Sequence, residues 1–298
     1  MRKSFRSPRD VRFAFFGTPH VAVIVLDELA RAGFMPSLII TRPDTAQGRG
    51  KVVTAPPVAL WATKHGIPIS QPIHMTNGFI YEAIAEEWDV FVVAAYGKIL
   101  PQALLDIPAH GTLNVHPSLL PHLRGPSPIR SAILNDERDV GVTIIQLDAE
   151  MDHGPIVEQE IVDMPEWPPR ARELEDTLAH EGGKLLAHAL LPWVREEIAA
   201  QEQDHTQATY CKPIKKEDGL IDLSDDPYQN LLKIRAFEGW PGTYTFFERN
   251  GQKIRVQIID AHLHNDALVI NIVRPEGKRD MPYVDFLRSG ASPLSSSF

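Results

Sequence analysis

The chain has 298 residues, of which 43% are hydrophobic and 23% are charged, and its formal net charge is -9 at pH 7. These fractions are typical of globular proteins and exclude a disordered chain or a disulfide scaffold. One cysteine cannot form an internal disulfide, which favours a reducing compartment. No stretch approaches the roughly 18 apolar residues that a membrane span needs, so we expect a cytoplasmic protein without membrane contact. The acidic balance argues against non-specific coating of nucleic acid but allows one local RNA site.

The first two thirds of the chain alternate between short apolar runs and helix-like segments. Residues 11–16 form the pattern of a buried strand, and the breaker Gly17-Thr18-Pro19 leads into an apolar-periodic helix over residues 21–32. Further strands are predicted at residues 36–41, 90–95 and 142–147, with helices at 58–65, 128–134 and 173–199. This alternation predicts an α/β fold with a Rossmann-like parallel sheet covered by helices.

The pattern changes after about residue 200, where the composition becomes polar. Short strands are then predicted at residues 243–247, 254–261 and 267–273, with the spacing of a small barrel. The predicted organisation is an N-terminal extension over 1–10, a first domain over 11–200, a linker over 201–212, a β-rich domain over 213–288 and a tail over 289–298.

Three polar residues are candidates for chemistry. Asn114 and His116 follow a predicted parallel strand and are two positions apart, so an extended backbone directs both side chains to one face. Ligands of open α/β sheets bind at the carboxyl ends of strands, and we expect Asp152, after the strand at 142–147, to lie at the same edge. A lone histidine or aspartate in a loop is more often structural or solvated. Together, an amide, an imidazole and a carboxylate suit attack of a neutral amine on an activated carbonyl.

Three ordered motifs carry a family resemblance. They are Asn114-Val115-His116-Pro117-Ser118-Leu119-Leu120-Pro121 with Arg124-Gly125, then Met151-Asp152-His153-Gly154-Pro155, and Ala95-Tyr96-Gly97-Lys98-Ile99-Leu100-Pro101. The first resembles the signature of the formyltransferases that use 10-formyltetrahydrofolate, and the other two resemble further stretches of that family. The resemblance implies that Asn114 and a protonated His116 hold the developing oxyanion while Asp152 helps to remove the amine proton. It also implies that Ser118, Leu119, Leu120 and Pro121 contact the reduced folate.

Other stretches resemble those family members whose acceptor is methionine on the initiator tRNA. Phe16-Gly17-Thr18-Pro19 is similar to their first strand and turn, and residues 41–51 are similar to a loop in which Arg49 and Lys51 would contact the tRNA. The second domain has room for little more than one hairpin between residues 260 and 275, so we expect a shortened, OB-like barrel. We expect a monomer, and we expect no metal because the histidines lack metal-ligand spacing.

Two alternatives remain open at this point. A formyltransferase that acts on a nucleotide-linked amino sugar would share the Asn, His and Asp set. The loop with Arg49 argues against it, and so do three second-domain stretches that resemble the family members acting on tRNA: Ala208-Thr209-Tyr210, Ile221-Asp222-Leu223 and Ile234-Arg235-Ala236-Phe237. A catalytically inactive folate- or RNA-binding relative is the other alternative, and the intact set of three residues argues against it.

Overall fold

The computed structural model describes residues 4–47, 52–75, 78 and 86–294. The chain divides into two units, each described by itself below. Unit 1 comprises Met1–Pro126, Asp139–Asp163 and Glu175–Tyr210, and unit 2 comprises Ser127–Arg138, Met164–Leu174 and Cys211–Phe298. This division differs from the predicted domains, because residues 127–138 and 164–174 group with the C-terminal part of the chain.

Unit 1 contains a seven-stranded sheet. Its strands are β1 Phe13–Gly17, β2 Leu38–Ile40, β5 Ile69–Ser70, β6 Val90–Ala94, β7 Thr112–His116, β8 Val140–Gln146 and β9 Ile156–Val162, and a separate hairpin consists of β3 Thr45–Gln47 and β4 Val52–Thr54. The strand order is β5-β2-β1-β6-β7-β8-β9. The first five strands are parallel, whereas β8 is antiparallel to both β7 and β9. The predicted α/β class with a Rossmann-like parallel sheet is confirmed for the first five strands.

The helices of unit 1 follow the apolar periodicity of the sequence. They include α1 His20–Arg31, α2 Pro57–His65, α3 Gln102–Leu105 and the part of α5 Ala171–Val194 that begins at Glu175. Every residue of β1 and β6 is buried, as expected for central strands with helices on both faces. Phe16 of β1 and Phe91 of β6 belong to a core cluster that also includes Leu104 of α3. Within the described part of the chain, no helix combines the length and apolar character needed to cross a membrane.

The direction of β8 corrects one sequence-based expectation. We expected the strand at 142–147 to be parallel, which would have placed Asp152 at a carboxyl edge. A parallel return requires a crossover, usually a helix packed on the sheet. The only helix between β7 and β8, α4 Pro128–Leu134, belongs instead to unit 2. The chain therefore returns antiparallel, with Gln146 paired to Leu113 near the beginning of β7.

Unit 2 contains a five-stranded antiparallel sheet that forms a half-barrel. Its strands, in the order β13-β12-β11-β10-β14, are Met281–Pro282, Ala267–Pro275, Gln252–His264, Thr243–Arg249 and Ala291–Pro293. Its helices are α4, α6 Pro227–Ala236 and α7 Tyr283–Arg288. Phe247, Val256 and Phe286 are central to its core. The three strands predicted here are confirmed and are longer than predicted, and β13 and β14 form the edges of the shortened barrel.

Close packing of α5 on the sheet yields a stability prediction. A Cβ atom added at Gly182 would lie 2.5 Å from Cγ1 of Val115 and 2.9 Å from Cγ1 of Val142. Alanine favours the helical backbone by about 1 kcal/mol, but overpacking a core costs typically about 1–3 kcal/mol. We expect Gly182→Ala to lower the urea midpoint of unfolding, whereas His188→Ala at an exposed site of the same helix leaves it nearly unchanged. A midpoint for Gly182→Ala at or above that of the parent would contradict this packing.

Candidate active site

Strand β7 carries two of the three candidate residues. Asn114 pairs with Val93 of β6 and Ile145 of β8, and His116 pairs with Thr143, without a register shift between them. Because side chains alternate along a strand, Asn114 and His116 point to the same face of the sheet. Asn114 is half-buried, and His116 is only 4% exposed. The strand therefore places the amide of Asn114 and the buried imidazole of His116 next to each other on one face.

His116 contacts the third candidate. Its Nδ1 lies 3.5 Å from Oδ1 of Asp152, and its Nε2 lies 3.2 Å from the carbonyl oxygen of Leu123. The His116 and Asp152 side chains are 5% and 14% exposed, so water screens their interaction poorly. The distance of 3.5 Å is long for a direct hydrogen bond, and such contacts often tighten only when substrate binds. Thus the structure brings His116 and Asp152 together, although the strand before Asp152 runs in the unexpected direction.

The loop over residues 147–155 returns from the far end of the sheet to reach His116. Leu147 donates its N–H to the carbonyl oxygen of Thr112, at the beginning of β7. Asp152 has a φ of 50°, a left-handed conformation that aspartate tolerates better than most residues. The N–H of Gly125 donates to Oδ2 of Asp152 at 2.8 Å, which leaves Oδ1 turned to His116. A side chain at Gly154 would collide with the carbonyl oxygen of Gln146, so this tight return requires glycine.

The predicted folate-contacting stretch is strongly hydrogen-bonded within unit 1. The Thr143 hydroxyl donates to the Ser118 carbonyl oxygen at 2.6 Å and accepts from the Leu120 N–H at 3.1 Å. Gln159 donates to the Leu120 carbonyl oxygen, and the Ser118 hydroxyl donates to the His122 carbonyl oxygen. Ser118 and Leu120 are buried, whereas Leu119 and Pro121 are half-buried. Hydrogen bonds therefore hold the backbone of this stretch in place, and its two partly exposed side chains, at positions 119 and 121, are apolar.

Two buried hydroxyl groups lie past the carboxyl ends of β2 and β6, the two parallel strands on either side of β1. Thr41 follows β2 directly, Tyr96 lies two residues past β6, and they are 0% and 2% exposed. Neither hydroxyl has a hydrogen-bond partner among the described residues. Burial raises the pKa of Tyr96 to about 12, so its phenol remains a neutral donor at physiological pH. Because buried polar groups normally have partners, these two fit a water or a polar group of a ligand at this edge.

The structure does not place the remaining predicted site residues, the two for tRNA contact, in this site. Arg49 and Lys51, predicted to contact tRNA, lie outside the described residues. In the described ranges, no group of three or more His, Cys, Asp or Glu side chains could hold a metal ion. Gly125, which donates to Asp152, had no predicted role, and its only signal in the sequence is its place in the Arg124-Gly125 motif.

Comparisons with known proteins identify the class to which this fold and site belong. The formyl transferase family model matches residues 11–190, and the model of the formyl transferase C-terminal domain matches residues 213–267. The chain belongs to the formyl transferase family and is a formyl-transferring enzyme. It is similar in fold to a sugar N-formyltransferase from Shewanella, with a TM-score of 0.63 and 19% identity over 86% of this chain and 99% of that chain.

The relatives by sequence are more specific. A methionyl-tRNA formyltransferase from Chloroflexus aggregans is 45% identical over 95% of this chain and 98% of its own. A methionyl-tRNA formyltransferase from Bacillus subtilis is 35% identical over 93% of this chain and 94% of its own. The family resemblance in the sequence motifs is thereby confirmed at the level of methionyl-tRNA formyltransferases.

The contact between Asp152 and His116 predicts the effect of removing one charge. Asp152→Asn keeps the shape of the side chain and an oxygen for the Gly125 N–H, but it cannot act as a base or stabilise an imidazolium. We expect the turnover number to fall on the order of 100-fold or more, the size of a general acid–base contribution. Tetrahydrofolate release measures the rate.

Asp148→Asn is the matched control for this prediction. Asp148 lies in the same loop, but its carboxylate bonds His153 at 2.7 Å instead of His116. We expect its turnover to equal that of the parent. Equal losses in both variants would mean that the loop as a whole, and not the carboxylate of Asp152, supports the rate.

Proposed function

We propose that this enzyme transfers the formyl group of 10-formyltetrahydrofolate to the amino group of methionine on the initiator tRNA. The observation that carries the proposal is the near-full-length similarity to methionyl-tRNA formyltransferases, at 35–45% identity, across both family domains. The sugar N-formyltransferase from Shewanella shares the fold at 19% identity, and similarity at this level does not identify the acceptor of this chain. Formylation of the charged tRNA would prepare it for translation initiation.

The reaction needs three groups that unit 1 supplies. The neutral amine attacks the formyl carbon, and negative charge develops on the formyl oxygen. Asn114 donates an N–H to that oxygen, and His116 adds a second donor when its Nε2 N–H turns from the Leu123 carbonyl oxygen or is shared with it. Asp152 supports the charged imidazole and accepts the proton of the amine, directly or through a water. The bond from the formyl carbon to N10 then breaks, and N10 takes up a proton.

The folate would lie where apolar and polar surfaces meet at the carboxyl edge of the sheet. Leu119 and Pro121 are half-buried and offer apolar contact, while Ser118 and Leu120 hold the stretch in place. The hydroxyls of Thr41 and Tyr96, which have no hydrogen-bond partner within the described part of the chain, fit a polar part of a ligand at this edge. These assignments rest on the motif at 114–121 and on burial.

The acceptor is tested by competition between two classes of amine. Purified enzyme is given 10-formyltetrahydrofolate together with methionine-charged initiator tRNA, uncharged tRNA or a set of nucleotide-linked amino sugars, and tetrahydrofolate release is followed. We expect turnover with the charged tRNA alone. His116→Ala should lower it on the order of 100-fold or more, as for loss of an oxyanion donor.

Two other outcomes of this experiment would each contradict a different part of the proposal. Turnover only with an amino sugar would keep the chemistry and overturn the acceptor. No turnover with any amine, together with tight folate binding, would indicate a binding protein without this activity.

A further inference from the structure

Gln203 lies within the segment predicted as a linker, yet it is only 5% exposed. Its Oε1 accepts hydrogen bonds from Nε of Arg124 at 3.1 Å and from Nη2 of Arg124 at 2.6 Å. Its Nε2 donates to the carbonyl oxygen of Asp152 at 2.9 Å and to that of Gly154 at 2.7 Å. One buried amide therefore joins the Arg124-Gly125 motif to the backbone of the loop that carries Asp152.

The four partners fix the orientation of this amide. A guanidinium only donates hydrogen bonds and a carbonyl oxygen only accepts them, so the amide oxygen must face Arg124 and the amide nitrogen must face the loop. Both N–H groups of the amide are used. Among the common side chains only glutamine has this length together with one accepting and one doubly donating end. This position therefore requires glutamine because of its hydrogen-bonding pattern and not only because of its size.

Arg124 is itself held in place. It is 1% exposed, its Nη2 lies 2.8 Å from Nδ1 of His205, and its Nη1 lies 3.3 Å from the hydroxyl of Tyr210. Its backbone N–H donates to the carbonyl oxygen of Thr209. The anchor for Gln203 is therefore rigid, so a change at Gln203 should move the loop and leave Arg124 in place.

The loop needs an external anchor. Asp152 has positive φ, and its carboxylate must stay close to His116 while bonded to the Gly125 N–H. Residues 124 and 125 thus act together: Gly125 binds the carboxylate, and Arg124 binds the backbone of Asp152 through Gln203. The carboxylate and the backbone carbonyl of Asp152 are therefore both held, directly or through Gln203, by the Arg124-Gly125 motif.

We propose that Gln203 is a positioning residue for Asp152. It holds the backbone at residues 152–154 so that the carboxylate faces His116, and it touches neither formyl donor nor amine. The proposal rests on the proposed function, because its kinetic consequence is read in formyl transfer.

The test uses Gln203→Glu, which keeps the size of the side chain and its contact with Arg124. The new carboxylate cannot donate and would face two carbonyl oxygens, so the loop is released while Arg124 gains a charged partner. We expect kcat to fall on the order of 10- to 100-fold with little change in KM for the folate, since small misplacement of a reacting group has this effect. Gln201→Glu, the same change at an exposed site, should leave kcat unchanged.

A double-mutant cycle separates positioning from general structural damage. If Gln203 acts through Asp152, then Gln203→Glu costs little more once Asp152→Asn is present, because both changes remove one function. An equal loss of kcat in the parent and Asp152→Asn backgrounds would overturn the proposal, and so would unchanged kcat in Gln203→Glu.

Hydrogen exchange gives a readout that does not depend on the acceptor. We expect faster amide exchange at residues 148–154 in Gln203→Glu and unchanged exchange in Gln201→Glu. If the parent enzyme shows no turnover with any amine, the proposed function is refuted, but hydrogen exchange at this loop still tests the role of Gln203. Unchanged exchange in Gln203→Glu would contradict that role.

Discussion

The contact between Asp152 and His116 is the constraint on which the rest of the site depends. His116 is fixed by its strand, but Asp152 begins from the opposite end of the sheet because β8 is antiparallel to β7. The loop must therefore travel back, and the chain meets this need with a left-handed Asp152, a glycine at 154 and the N–H of Gly125. Together these three features place the carboxylate of Asp152 beside the imidazole of His116.

Apolar runs made much of the fold predictable. Strands such as β1 and β6 are buried on both faces, so their composition alone reveals them. The spacing of Asn114 and His116 was sufficient to put both on one face of β7. The direction of β8 was not predictable, because its first six residues are all buried, like those of the parallel strands β1 and β6, and it lacks the alternation typical of antiparallel strands.

Long-range polar contacts explain what the sequence left hidden. Gln203 bonds Asp152 across 51 positions and Arg124 across 79, and no local pattern records such pairs. The same holds for unit 2, where Asp136 accepts a hydrogen bond from the Tyr228 hydroxyl across 92 positions. Residues 127–138 group with that unit, whereas local alternation placed them with the preceding strands. The polar composition after residue 200 likewise predicted a linker, because it gives no sign of the distant residues to which Gln203 is bonded.

The most direct measurement of the central claim is the single-turnover rate of formyl transfer to methionyl-tRNA by Asn114→Ala, with folate affinity measured in parallel. Asn114 is half-buried on β7, beside His116 and outside the contacts that hold the Asp152 loop. If this face of β7 stabilises the oxyanion, the rate falls on the order of 100-fold or more while the folate still binds. A parent-like rate would show that formyl transfer takes place elsewhere and would contradict the assignment of this site.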